Sequence, residues 1–137
     1  MEMSIDHVQG KVPVTILGLQ GELDASNYQE LIARAKELHA AGSRNFLVDL
    51  SGVRFMSSSG LVALHSIALL LRGEPPLDLE AGWSALHTME KEQDSGLQKH
   101  IKLLNPQPKV LLTLQKTGMD LFLQVFTNRE EAIASFG

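Results

Sequence analysis

The chain has 137 residues, with 12 Lys and Arg against 16 Asp and Glu for a formal charge of −4, and it contains no cysteine. Apolar residues make up 44% and charged residues 20%, the balance of a folded globular protein rather than a disordered one. These figures exclude a disulfide framework, a thiolate-held zinc or iron–sulfur site and a thiol nucleophile, and they give no overall field for nucleic acid or an anionic membrane.

The length predicts one domain over residues 1–137. Residues 4–9 and 12–20 read as two strands turned at Gly10-Lys11, with Val12, Val14 and Ile16 alternating with Thr15, Leu17 and Leu19. Pro13 cannot donate to a ladder, so it belongs at an edge or a strand start. Gly21-Glu22-Leu23-Asp24 leads into a helix, capped by Ser26 with Gln29 or by Asn27 with Glu30. Tyr28, Leu31, Ile32, Ala35 and Leu38 keep helical spacing, and Gly42 stops it. Phe46–Leu50 reads as a short buried strand closed by Asp49-Leu50-Ser51-Gly52. A helix then starts near Ser58 or Ser59 and runs to about Arg72, before Gly73 and Pro75-Pro76. Its apolar run, Leu61–Leu71, is broken by His65 and Ser66 and is too short to span a bilayer.

The segment 73–98 is unlike the rest. It carries six acidic residues against Lys91 alone and holds the single tryptophan, Trp83. Trp83, Leu86 and Met89 recur every three residues, as along one side of a short helix. The segment reads as an acidic insertion folded over the core, or as a docking surface anchored by Trp83. Beyond it, Lys99–Leu104 is a strand, Gln107–Lys116 a helix stopped by Gly118, and Phe122–Phe126 a last strand. Thr127 with Glu130 is expected to cap a terminal helix through Ser135. Strands alternating with helices indicate an α/β fold. The N-terminus lacks the basic and apolar regions of a signal peptide, so a cytoplasmic location is expected.

Chemistry concentrates at Val48-Asp49-Leu50-Ser51-Gly52-Val53-Arg54-Phe55-Met56-Ser57-Ser58-Ser59-Gly60-Leu61. A serine at a helix entrance can cap free backbone N–H groups, yet three in a row exceed what one cap requires. Phosphorylation there would set roughly −1.5 to −2 charges at the positive end of a helix dipole, where the fold tolerates them and a partner surface does not.

With these residues in hand, the sequence resembles the STAS domains, and among them the small stand-alone anti-sigma factor antagonists. The resemblance rests on Gly21-Glu22-Leu23-Asp24, Leu47-Val48-Asp49-Leu50-Ser51-Gly52-Val53, Phe55-Met56-Ser57-Ser58-Ser59-Gly60-Leu61, Leu103-Leu104-Asn105-Pro106 and Thr117-Gly118-Met119, in that order. It implies a small mixed sheet covered by helices largely on one face. It also implies a partner switch, in which the unmodified protein binds an anti-sigma factor that is itself a serine kinase. Phosphorylation releases that complex and a phosphatase restores it. The regulated hydroxyl falls on Ser58, with Ser57 and Ser59 as competitors. The partner surface falls on Asp24, Ser26, Asn27, Ser57, Ser58, Ser59, Gly60 and Leu61, with Asp24 near Ser58 at one end of the sheet. The family pattern has an acidic residue where this chain has Ser57. The ATP would belong to the kinase, so no bound cofactor is expected. The second reading within the family is a scaffold subunit of a stress-signalling or lipid-transport assembly.

Other classes fit less well. A hydrolase with Ser58 as nucleophile would want Gly-x-Ser-x-Gly, and Met56 stands at the first glycine. His65, two turns along the same helix, is expected at its surface or boundary rather than as a base. The five histidines show no metal-ligand spacing, and no phosphate loop or dinucleotide fingerprint occurs. Dispersed Lys and Arg with one Tyr and one Trp make no nucleic-acid platform.

Overall fold

A computed structural model describes residues 1–74 and 97–137. The expected acidic insertion, with Trp83, Leu86 and Met89, lies almost wholly outside the described residues. β1 (Glu2–Gln9) and β2 (Pro13–Leu23) form an antiparallel hairpin, closed by a Gly10 N–H donating to the Val12 carbonyl at 3.1 Å. Pro13 opens β2 opposite Gln9, where a missing donor costs nothing inside the ladder. From β2 onward the pairing is parallel, through β3 (Phe46–Met56), β4 (Ile101–Leu104) and β5 (Val125–Phe126), in spatial order β1-β2-β3-β4-β5. The sheet is therefore mixed, with its one antiparallel strand at the edge.

Helices α1 (Tyr28–Ala40), α2 (Ser58–Leu71), α3 (Pro108–Lys116) and α4 (Arg129–Ala134) follow successive strands. Strand alternation sorts the side chains into two layers. Leu17, Leu19, Phe46, Val48, Leu50, Ile101 and Leu103 meet α1, α2 and α3 in the main core, which includes Leu31, Leu64 and Leu114. Val14, Ile16, Leu47 and Leu104 point the other way, under Ala132 of α4 and Phe136. Among the described residues, three helices on one face and one short helix on the other match the expected covering. Each fully buried leucine contributes roughly 1.5–3 kcal/mol of burial free energy.

Helix ends follow local chemistry. Gly42 (φ 113°) closes α1 in a left-handed turn in which Gly42 N–H bonds His39 O and Ser43 N–H bonds Leu38 O. Gly73 (φ 77°) ends α2 in the same way, with Glu74 N–H on Leu69 O. Gly118 (φ 75°) follows α3 and starts a 3-10 turn, Met119–Leu121.

Several expectations are corrected. β3 does not close at Leu50 but runs to Met56, because two bulges let it stay paired with β2 past Ser51. Gly52 faces Gln20 there, and a Cβ at Gly52 would come within 2.9 Å of the Leu19 carbonyl oxygen. β4 begins at Ile101 rather than Lys99, and β5 keeps only Val125–Phe126. Phe122 and Leu123 lie outside the sheet, their N–H groups donating back to the Met119 carbonyl at the end of the 3-10 turn, and are buried in the main core. The terminal helix is capped by Asn128, whose Oδ1 accepts the Glu131 N–H at 2.9 Å, and not by Thr127. His65 is not at a helix boundary: it is fully buried and stacks on Phe122 with ring centroids 4.6 Å apart. The cause is that α2 is enclosed all round, with every residue from Gly60 to Leu69 buried.

Candidate functional site

The site lies where β2 and β3 end side by side. Leu23 pairs with Met56, and the Ser57 N–H donates to the Leu23 carbonyl at 2.9 Å, so Asp24 and the serine cluster leave the sheet at the same end. Ser57 is the N-cap of α2 in extended backbone (φ −87°, ψ 176°), and its carbonyl accepts from Gly60 N–H and Leu61 N–H. Its hydroxyl does no capping. Ser57 Oγ is buried and has no hydrogen-bond partner. Ser58 is the first helical residue and is exposed, Ser59 is half-buried, and Gly60 and Leu61 are buried. The N–H groups of Ser58 and Ser59 belong to the first turn, where helix geometry leaves donors facing outward, and no acidic residue occupies that turn.

Gly60 makes this geometry possible. A Cβ there would approach Met56 Cγ to 2.8 Å and Leu23 Cγ to 3.0 Å, so its absence lets α2 enter directly against the strand ends. Leu61 then points into the core and supports the helix from below.

The other predicted residues form a turn locked on itself. Asp24 Oδ1 accepts from the Ser26 N–H at 2.9 Å and from the Ser26 hydroxyl at 2.6 Å, and these bonds hold its carboxyl below the usual carboxylate range. Asn27 stands at the N-cap position of α1, yet its side chain works backwards. Its Oδ1 accepts the Asp24 N–H at 3.0 Å and its Nδ2 donates to the Glu22 carbonyl at 2.7 Å. Neither expected capping pair forms. The Asp24 carbonyl receives the Asn27 and Tyr28 N–H groups instead.

The sequence did not single out Phe55, which is 51% exposed just before the serine cluster. Simple alternation puts Val53 and Phe55 on one side of β3. The bulge at Arg54 turns Phe55 outward while Val53 and Met56 stay buried. Only knowledge of the pairing could have supplied that signal.

Among the described residues, no helix is long and apolar enough to cross a membrane, and no cluster of three or more His, Cys, Asp or Glu could hold a metal ion. Residues 7–81 match the family described as "Mlab, STAS domain". No curated protein matches the sequence. Among solved structures, a putative anti-sigma factor antagonist from Thermotoga maritima is similar with a TM-score of 0.70 and 18% identity, over 96% of this chain and 91% of that one. An anti-sigma factor antagonist from Mycobacterium paratuberculosis gives 0.66 and 16%, over 98% and 92%. The Bacillus cell fate determinant SpoIIAA, in its phosphorylated form, gives 0.59 and 20%, over 96% of both chains. The family match spans more than half of the sequence and agrees with the strand order and helix placement described above, so this chain belongs to the STAS-domain family.

Proposed function

We infer that the protein is an anti-sigma factor antagonist working as a phosphorylation-controlled partner switch in the cytoplasm, without enzymatic activity of its own. The observation that carries this reading is the exposed hydroxyl of Ser58 at the entrance of a 14-residue helix buried almost everywhere else. Of the three serines, Ser57 has its Oγ buried and Ser59 is half-buried, so Ser58 is the one a kinase can reach. In the unmodified state the helix entrance is neutral, with Phe55 beside it as an apolar anchor and the Asp24-Ser26-Asn27 turn as its rim. An anti-sigma factor with serine-kinase activity docks there and transfers phosphate from its own ATP to Ser58. The added dianion is favourable beside the free N–H groups of the first turn but has to be desolvated at the contact, so it releases the partner without harming the fold. A phosphatase resets the switch. The similarity to structures named as antagonists, one of them phosphorylated, supports this reading.

The test is phosphosite mapping on protein isolated from its native cells, with co-purifying proteins identified in the same sample. Modification at Ser58 together with a serine-kinase partner is the expected result. A serine cluster that stays unmodified across growth and stress conditions would sink the switch. One feature favours a second reading, a scaffold subunit of a stress-signalling or lipid-transport assembly: Ser57 replaces the acidic residue of the family pattern and turns its hydroxyl inward. Recovery of scaffold or transporter subunits and no kinase would select that reading.

A further inference from the structure

The four parallel strands begin at the end of the sheet opposite Ser58, and the residues just before them line a half-open cavity of about 490 Å3. That volume is within the range of small-molecule sites, roughly 300–1,000 Å3. Among the described residues its lining includes Lys99, His100 and Lys102, and no Asp or Glu side chain.

Lys102 is the unusual member. It sits in β4 with only 6% of its surface exposed, and its ammonium lies 4.8 Å from the Phe136 ring centroid and 5.7 Å from that of Phe126. Nζ donates to the Ser135 carbonyl at 3.0 Å and to Ser135 Oγ at 2.9 Å. An ammonium has three N–H donors, so one is left over. No carboxylate pairs with Lys102 among the described residues, and burying an unpaired charge is costly. Burial correspondingly pulls its pKa down.

The neighbouring polar groups are fixed in place. Asn45 Nδ2 donates to the Pro13 carbonyl at 3.2 Å, which leaves its Oδ1 to accept from His100 Nδ1 at 2.9 Å. With Asn45 Oδ1 as the acceptor, the His100 Nδ1 is the donor in that bond, which fixes the orientation of the ring. Gln124 adds an amide donor and Val12 an apolar wall.

We propose that this cavity binds a small organic anion, a carboxylate or a phosphate ester, whose acidic group takes the third N–H of Lys102 with Lys99 and His100 alongside. The site is independent of the Ser58 switch and lies at the other end of the sheet. An anion there completes the ammonium's hydrogen bonding and replaces the missing counter-charge, and its carbon skeleton packs on Val12.

The test is amide NMR on the full chain, titrated with citrate and separately with glycerol 3-phosphate, against sodium chloride at matched ionic strength. Saturable shifts centred on Lys102, His100, Asn45 and Gln124 with either anion, and not with chloride, are expected; the anion that saturates first names the class. Lys102→Met should weaken binding at least about tenfold, as loss of a charge-assisted hydrogen bond does. Lys99→Glu, at an exposed position, should weaken it as well, and this variant decides the matter if Lys102→Met fails to fold. No saturable shift, an equal response to chloride, or full affinity in both variants would overturn the proposal.

Discussion

The two ends of the parallel sheet are built from the same kind of material, strand termini and short connections, but they differ in what their polar groups are committed to. At the Ser58 end the turn beside the helix entrance is bonded locally: Asp24 by Ser26, and Asn27 by Asp24 and Glu22. At the helix entrance itself what faces outward is a neutral hydroxyl and a turn of helix N–H groups, with the Phe55 ring and the exposed Glu22 and Arg54 side chains on the strand ends beside it. At the Lys102 end the cation is buried and only partly satisfied, with both of its bonds going to a single serine. The first end is suited to be changed by an added charge, and the second to receive one. Backbone architecture alone does not distinguish these roles; the side-chain hydrogen bonds do.

The largest expected effect tests the Ser58 end. Ser58→Asp should weaken binding to the anti-sigma partner by about a hundredfold, since a charge introduced at a contact costs several kcal/mol. Titration calorimetry measures this, and an unchanged thermal melt separates lost binding from lost fold. Equal affinity for the variant would remove the switch.

Next is the support beneath that end. Gly60→Ala should cost about 1–2 kcal/mol, because the new methyl overlaps Met56 and Leu23 and overpacking outweighs the gain in helix propensity. A lower urea midpoint at constant slope is the expected signature. A more stable variant would mean that α2 can shift outward freely.

The cationic end should show itself in alkaline titration. The folded pKa of Lys102 lies below its ordinary 10.5 because of burial. Between those two values the unfolded chain binds more protons than the folded one, so stability rises with pH across that interval. Below it both states are charged and the burial penalty is fully present. Melts compared with Lys102→Met, which lacks the proton, should isolate this increment, and identical pH profiles would contradict it.

The smallest effect is also diagnostic. An N-cap Ser→Ala change usually costs about 1 kcal/mol, yet Ser57→Ala should alter stability by less than about 0.5 kcal/mol because its hydroxyl makes no bond to lose. A full capping penalty in chemical denaturation would show that Ser57 Oγ caps the helix in solution.

Much of this molecule could be read from short windows of sequence. The apolar spacing of Leu31, Ile32 and Ala35 predicted α1, and all three are buried. Gly42 and Gly118 marked helix ends because only a residue without Cβ enters a left-handed turn cheaply. Pro13's missing donor restricted it to an edge or a strand start, and it opens β2. The Ser58 helix entrance was visible as well, from a strand followed by serines and an apolar run. These signals are local: each depends on residues within one turn or one strand of the feature it reports.

What the sequence determined by itself was therefore the order of elements, the glycine stops of the helices and the position of the serine cluster. Tertiary structure decided the rest. Whether β3 ended at Leu50 depended on a neighbouring strand able to absorb two bulges, and β2 provided it. Those bulges then turned Phe55 toward solvent. His65 reads as a boundary residue on a helix seen alone and becomes a core residue once α2 is enclosed. Lys102 looks like any strand lysine until Phe126, Phe136 and Ser135 arrive from more than twenty residues downstream. Burial, strand register and the satisfaction of polar groups are relations between distant segments, and no periodicity within one segment encodes them.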